Sequence, residues 1–146
     1  MTKPTTPSIY EALASIILPD GILDLFEVTN VAEEHTGILD ERRVEIQIIH
    51  IHLDERDLRS HQHSVLQPNG FAESRKINDF PIRDRKVVLH IRRRRWLDPN
   101  GKSIILSSSD LTAVGTNYSK EFADVLKKIF GHIPCSGPFA GAILQD

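Results

Sequence analysis

The residue types best suited to chemistry in this chain crowd into residues 90–101, HIRRRRWLDPNG. Four consecutive arginines, Arg92 to Arg95, run into the only tryptophan, Trp96. A guanidinium stays charged at any physiological pH, and its planar fork matches the oxygens of a phosphate. Four neighbours also repel one another. That separates the run from the lysines and glutamates that ordinarily keep a strand edge from aggregating. Arg83, Arg85 and Lys86 lie just upstream. The chemistry these residues offer is anion binding, with a polyphosphate backbone as the natural ligand.

The charge distribution sharpens this reading. The chain of 146 residues carries a formal charge of −2. Residues 1–60 are balanced at −7, residues 61–104 at +6 and residues 105–146 at −1. Exposed charges more than about 10 Å away are largely screened, so a polyanion responds to the local field. The middle third is where an anionic partner is expected.

Other constellations carry less. His50 and His52, with His61 and His63, form two His-x-His pairs. Four histidines can bind zinc, but the first pair sits inside an apolar run and Cys135 is the only cysteine. They read as a strand pair and a loop pair, and no metal or other cofactor is expected. Asp20, Asp24, Asp54 and Asp57 would suit two-metal hydrolysis. They fall at the ends of elements, where aspartate caps and turns. No phosphate-cradling glycine loop and no nucleophile elbow occurs, so no enzyme is expected.

These side chains need elements to hold them. Ile9, Leu13, Ile16 and Ile17 have helical spacing, with Ser8 and Glu11 placed as a capping box and Pro19, Asp20 and Gly21 as the stop. A short helical turn through Leu25 follows. Residues 26–34 and 43–53 read as strands. The apolar phase flips between Ile48 and Ile49, which predicts a bulge or sharp twist. Residues 54–70 read as a polar loop. A three-stranded meander follows, over about 76–82, 86–96 and 103–106. Its last link, Asp98-Pro99-Asn100-Gly101, has the residue order of a type I turn. In the middle strand, Arg92 and Arg94 fall on the polar face, while Arg93 and Arg95 continue the phase of Val87, Leu89 and Ile91. Trp96 is assigned to the core. Ser119 caps a final helix with Phe122, Val125, Leu126 and Ile129 on one stripe, ended by Gly131.

The segments KINDFPIRDRKVVLHIRRRRWLDPNGK and DLTAVGTNYSKEFADVLKKI resemble the N-terminal region of bacterial insertion-sequence transposases, including those split into two reading frames. ILPDGILDLFEVTNV upstream is similar too, so the resemblance covers most of residues 16–130. It is most specific over residues 77–96. In better-studied relatives the meander is a zinc ribbon, followed by a helix-turn-helix and a DDE-type catalytic domain. Here Leu97, Asp98, Pro99 and Asn100 stand where cysteines would be, and the upstream loop offers only His61 and His63. The resemblance therefore implies a zinc-free ribbon. It also implies recognition of terminal inverted repeats in double-stranded DNA, with catalysis supplied by a separate transposase subunit. It assigns the DNA contacts to Arg83, Arg85, Lys86 and Arg92, Arg93, Arg94 and Arg95.

The expected fold is α+β: a small antiparallel β-meander, degenerate zinc-ribbon-like, with an N-terminal and a C-terminal helix. Residues 1–132 are expected to form one module. Within it, residues 8–60 are an acidic helix plus two strands, 74–106 the basic meander and 116–131 the helix. Residues 133–146 are expected to be a poorly ordered tail. No membrane span or signal segment is expected. The chain reads as cytoplasmic, with a homodimer as one assembly open to it. From another class comes an antitoxin-like accessory module, docking a basic partner through the acidic first sixty residues.

Overall fold

A computed structural model describes residues 9–106 and 118–131. The chain is α+β, with seven strands among the described residues, in two mostly antiparallel sheets between an N-terminal and a C-terminal helix. In order, the elements begin with α1 (Ile9–Ile17), α2 (Ile22–Leu25), β1 (Phe26–Leu39) and β2 (Glu45–Glu55). A short 3-10 turn spans His61–His63. Then come β3 (Gln67–Phe71), β4 (Arg75–Ile82), β5 (Arg85–Arg92), β6 (Arg94–Leu97), β7 (Ser103–Ile104) and α3 (Lys120–Phe130). The expected cap Ser8 and the expected tail 133–146 lie outside the described residues.

The larger sheet has the order β1-β2-β5-β4, and the smaller one β3-β6-β7. The β4–β5 hairpin forms as the sequence predicts. Its other neighbour was not foreseen: β5 runs parallel to β2, with Ile49, Ile51 and Leu53 beside Val87, Leu89 and Ile91. These side chains, with Ile77, Phe26, Ile22 and Leu18, form the main buried core. The predicted bulge at Ile48 and Ile49 is absent, since both ladders of β2 run unbroken through them. The apolar phase flips because this part of the sheet is buried on both faces: Ile46, Ile48 and Val88 are buried on the side away from that core. Parallel strands covered on both sides read as a continuous apolar run rather than an alternating one.

The predicted strand 86–96 is two strands. Its ladder with β2 ends at the Asp54–Arg92 pair, and β6 then leaves for the second sheet. The break has a local cause. The Arg94 amide donates to Glu55 Oε1 at 3.0 Å, and the Arg93 carbonyl accepts from the Ala72 amide at 2.7 Å. Neither group is left for the first sheet. The meander is therefore divided between two sheets. The segment 54–70 read as a loop holds the end of β2 and most of β3, whose Pro68 and Gly70 hide it from any periodicity test.

The β6–β7 link is the predicted turn. Asp98 accepts the Gly101 amide, and its side chain takes the amides of Asn100 and Lys102. Gly101 has φ +82°, a left-handed conformation that suits glycine. At α3, Ser119 stands at the N-cap position, but its hydroxyl goes instead to the buried Asp79 at 2.7 Å. Phe122, Ala123 and Leu126 are buried with Tyr118 against Phe80. Ile129, expected on the same stripe, is 60% exposed.

Candidate nucleic-acid interface

The arginine run wraps the bend between β5 and β6, and the bend decides what each side chain does. In the β2–β5 register Arg92 lies beside Asp54, and the two make a bidentate pair at 2.7 and 2.6 Å. That pairing raises the Arg92 pKa still further. The Arg92 guanidinium also sits 4.3 Å from the centre of the Phe71 ring. Arg94 donates from Nε to the Glu55 carbonyl at 2.7 Å and lies 5.0 Å from the same ring. Arg93 turns to the core side, 5.9 Å from the Phe26 ring. Arg95 is exposed, with no hydrogen bond or ion pair to the described residues. Cations are attracted to the faces of aromatic rings, so three of the four arginines serve as covers for aromatic side chains.

Trp96 follows the same logic. It is buried at 1% exposure, with Arg59 4.5 Å over its ring. Arg59 is held there by Asp57, whose carboxyl is drawn down to about 2 by hydrogen bonds from the Arg59 side chain and amide. The strand phase is a poor guide across the break. Arg92 and Arg94, expected on a plain polar face, are committed to carboxylate, carbonyl and ring. Arg95, expected to continue the core phase, is the free one.

The seven predicted contact residues do not form one patch. Lys86 and Arg85 stand at the opposite end of β5 from Arg92, about 20 and 23 Å away at 3.3 Å per residue, with Arg83 in the turn before them. There Arg85 donates to Gln47 at 2.8 Å and approaches Glu33 at 3.5 Å. Burial pushes the Lys86 ammonium below its ordinary pKa. Arg83 occupies the tight turn with φ +52° and is exposed, without a partner among the described residues. Lys102 is exposed in the β6–β7 turn, at the far end of β6 from the bend.

The histidines are more organised than their sequence spacing suggests. On the face of the sheet opposite the core, His50 Nδ1 is 2.7 Å from His90 Nε2, and His50 Nε2 is 2.7 Å from Glu34. His52 stacks on His90 with ring centres 4.4 Å apart. Burial, with His52, His50 and Lys76 nearby, lowers His90 to about 4. A cleft of about 280 Å³ beside it is lined by Thr29, Asn30, His52, Asp54, Ser74, His90 and Arg92. His61 and His63 are elsewhere, with His63 accepting from the Ser60 amide. Among the described residues no three His, Cys, Asp or Glu side chains are placed to hold one metal ion. Asp54 and Asp57 are each bound to an arginine rather than to one another.

Sequence reasoning missed Phe71, Glu55 and His90 as parts of this region. Phe71 sits in the unrecognised β3. Glu55 and His90 acquire their partners through the parallel β2–β5 pairing, which no local pattern encodes. Among the described residues no helix is long and apolar enough to cross a membrane. No protein-family model, curated protein or solved structure matches the chain.

Proposed function

We propose that the chain is a double-stranded DNA-binding module acting in transposition. It works inside the cell, where a separate catalytic transposase subunit cuts and joins. The reading rests on the transposase resemblance of residues 77–96 and on one structural observation. On the β6–β7 ribbon that leaves the bend, within the segment balanced at +6, Arg95 and, in the turn, Lys102 are exposed and uncommitted. Exposed cations of this kind neutralise backbone phosphates. Arg92 and Arg94 support them by fixing the bend, and Arg92 keeps 46% of its side chain exposed. A short two-stranded ribbon such as β6–β7 fits a groove in width.

The accessory-module reading has less support. Its acidic docking surface is largely spent within the chain: Glu33, Glu34, Asp54 and Asp57 all face a cation or a histidine.

Fluorescence anisotropy of a labelled duplex across a salt series tests the proposal. With about three to five phosphates neutralised, the slope of log affinity against log salt is about −3 to −4. Absence of binding at low salt would remove the reading.

A further inference from the structure

The N-terminal helix is apolar yet bare. Its nine residues, IYEALASII, include Ile9, Tyr10, Leu13, Ile16 and Ile17, and none is buried. A helix this short does not hold itself in water, and one apolar on most sides belongs in an interior. Between α1 and the sheet runs an open groove of about 850 Å³. Val28, Val31, Ile49 and Ile51 line it beneath Tyr10, Leu13 and Ile17. Next to it, β1 is an edge strand of 14 residues, paired only with β2 among the described residues. A row of unpaired amides and carbonyls there is a template for another strand.

We propose that a second copy of the chain docks on this face. The two β1 strands pair antiparallel about Val31, and the two α1 helices close side by side over the joined groove. A two-fold axis through Val31 puts both helices on the same face of the continued sheet. In this register Val31 faces its own copy and Ala32 faces Asn30, within the regular stretch Asn30 to His35 that follows the register shift between Val28 and Asn30.

The area agrees. Side chains of this size carry about 100 Å² of apolar surface each on the transfer scale. Ile9, Tyr10, Leu13, Ile16, Ile17, Val28 and Val31 are 78%, 82%, 52%, 80%, 44%, 37% and 58% exposed. Together they offer about 400 Å². A standard interface takes about 800 Å² per partner, somewhat over half of it apolar. The assembly also closes. The outer edge of β4 is occupied by the Tyr118 bridge to Asn78 and by the Ser119 amide on the Asn78 carbonyl. Two β1 edges joined about a two-fold axis use each other up, which gives a closed pair.

This proposal goes beyond DNA binding and is read without DNA, so the two stand or fall separately. Light scattering on the full chain at micromolar concentration should give twice the mass of 16.5 kDa. Val31→Lys should give a monomer with unchanged circular dichroism, because Val31 is already exposed in the single chain, and with a melting temperature that no longer rises with protein concentration. In a Cys135→Ser background, Val31→Cys should cross-link into a disulfide dimer under mild oxidation. Glu27→Cys, far from the axis, should not. A wild-type monomer overturns the proposal, and its binding to lipid vesicles would assign the groove to membrane instead. A dimer that survives Val31→Lys and cross-links no better through Val31→Cys than through Glu27→Cys also overturns it.

Discussion

Arg92 and Arg94 share one ring, and that explains how four arginines can be neighbours. Each cation has its own compensation: a carboxylate and Phe71 for Arg92, a carbonyl and Phe71 for Arg94, Phe26 for Arg93. Phe71→Leu keeps the apolar contact but removes both cation–ring attractions. It should cost about 1 kcal/mol in urea unfolding, as two partly exposed pairs of this kind would. Gly101→Val should cost about 1–2 kcal/mol, because a β-branched residue is strained at positive φ. His90 supplies a pH signature. Its pKa is about 4 in the folded chain, below the ordinary 6.5. The unfolded chain therefore binds the proton first, and the His90 contribution to stability is whole above about pH 6.5 and declines down to about pH 4. Thermal melts of His90→Gln over that range should show a shallower fall than wild type. Equal slopes would mean that the His50–His90–His52 contacts do not govern the titration.

Elements were legible in the sequence where their information is local. The Asp-Pro-Asn-Gly turn, the β4–β5 hairpin and the α3 stripe up to Leu126 depend on residues within a few positions of one another. The parallel β2–β5 pairing does not, and it is what places Asp54 beside Arg92 and Glu55 at the bend. Of the candidate site, the identity of the cations was readable, but which of them are free was not. Strand phase carried across Arg93 assigned Arg92 and Arg94 the wrong freedom, because the phase resets where β6 leaves the sheet. The anchoring of α3 was also hidden. Ser119 has the residue type of a cap, yet it serves as a donor to Asp79 on β4. Burial raises the Asp79 carboxyl pKa, and Glu121 adds to the rise while Ser119 and the Phe80 amide oppose it. A carboxyl raised in the fold loses its stabilising contribution as pH climbs from 3.8 through the folded value. Asp79→Asn still accepts from Ser119 and carries no charge, so its melting temperature at pH 7 should match or exceed wild type. A clear drop would mean that the charge itself holds α3.

For the whole molecule, acidic and basic thirds are interleaved in space. β2 lies along β5, so Glu33 meets Arg85 and Asp54 meets Arg92 where the sheet joins them. The net −2 is therefore compatible with exposed cations beyond the end of that sheet. Arg95 on β6 and Lys102 in the β6–β7 turn are such cations. The most direct test is the salt dependence of duplex binding by Arg95→Ala/Lys102→Ala beside Arg92→Ala/Arg94→Ala. The first pair should melt like wild type and flatten the slope of log affinity against log salt by about two contacts' worth. It should also weaken binding to all sequences alike, since phosphate contacts carry no sequence information. The second pair should lower the melting temperature, because it strips Phe71, Asp54 and Glu55 of their partners. A folded Arg95→Ala/Lys102→Ala variant with wild-type affinity and slope would contradict DNA binding through the β6–β7 ribbon.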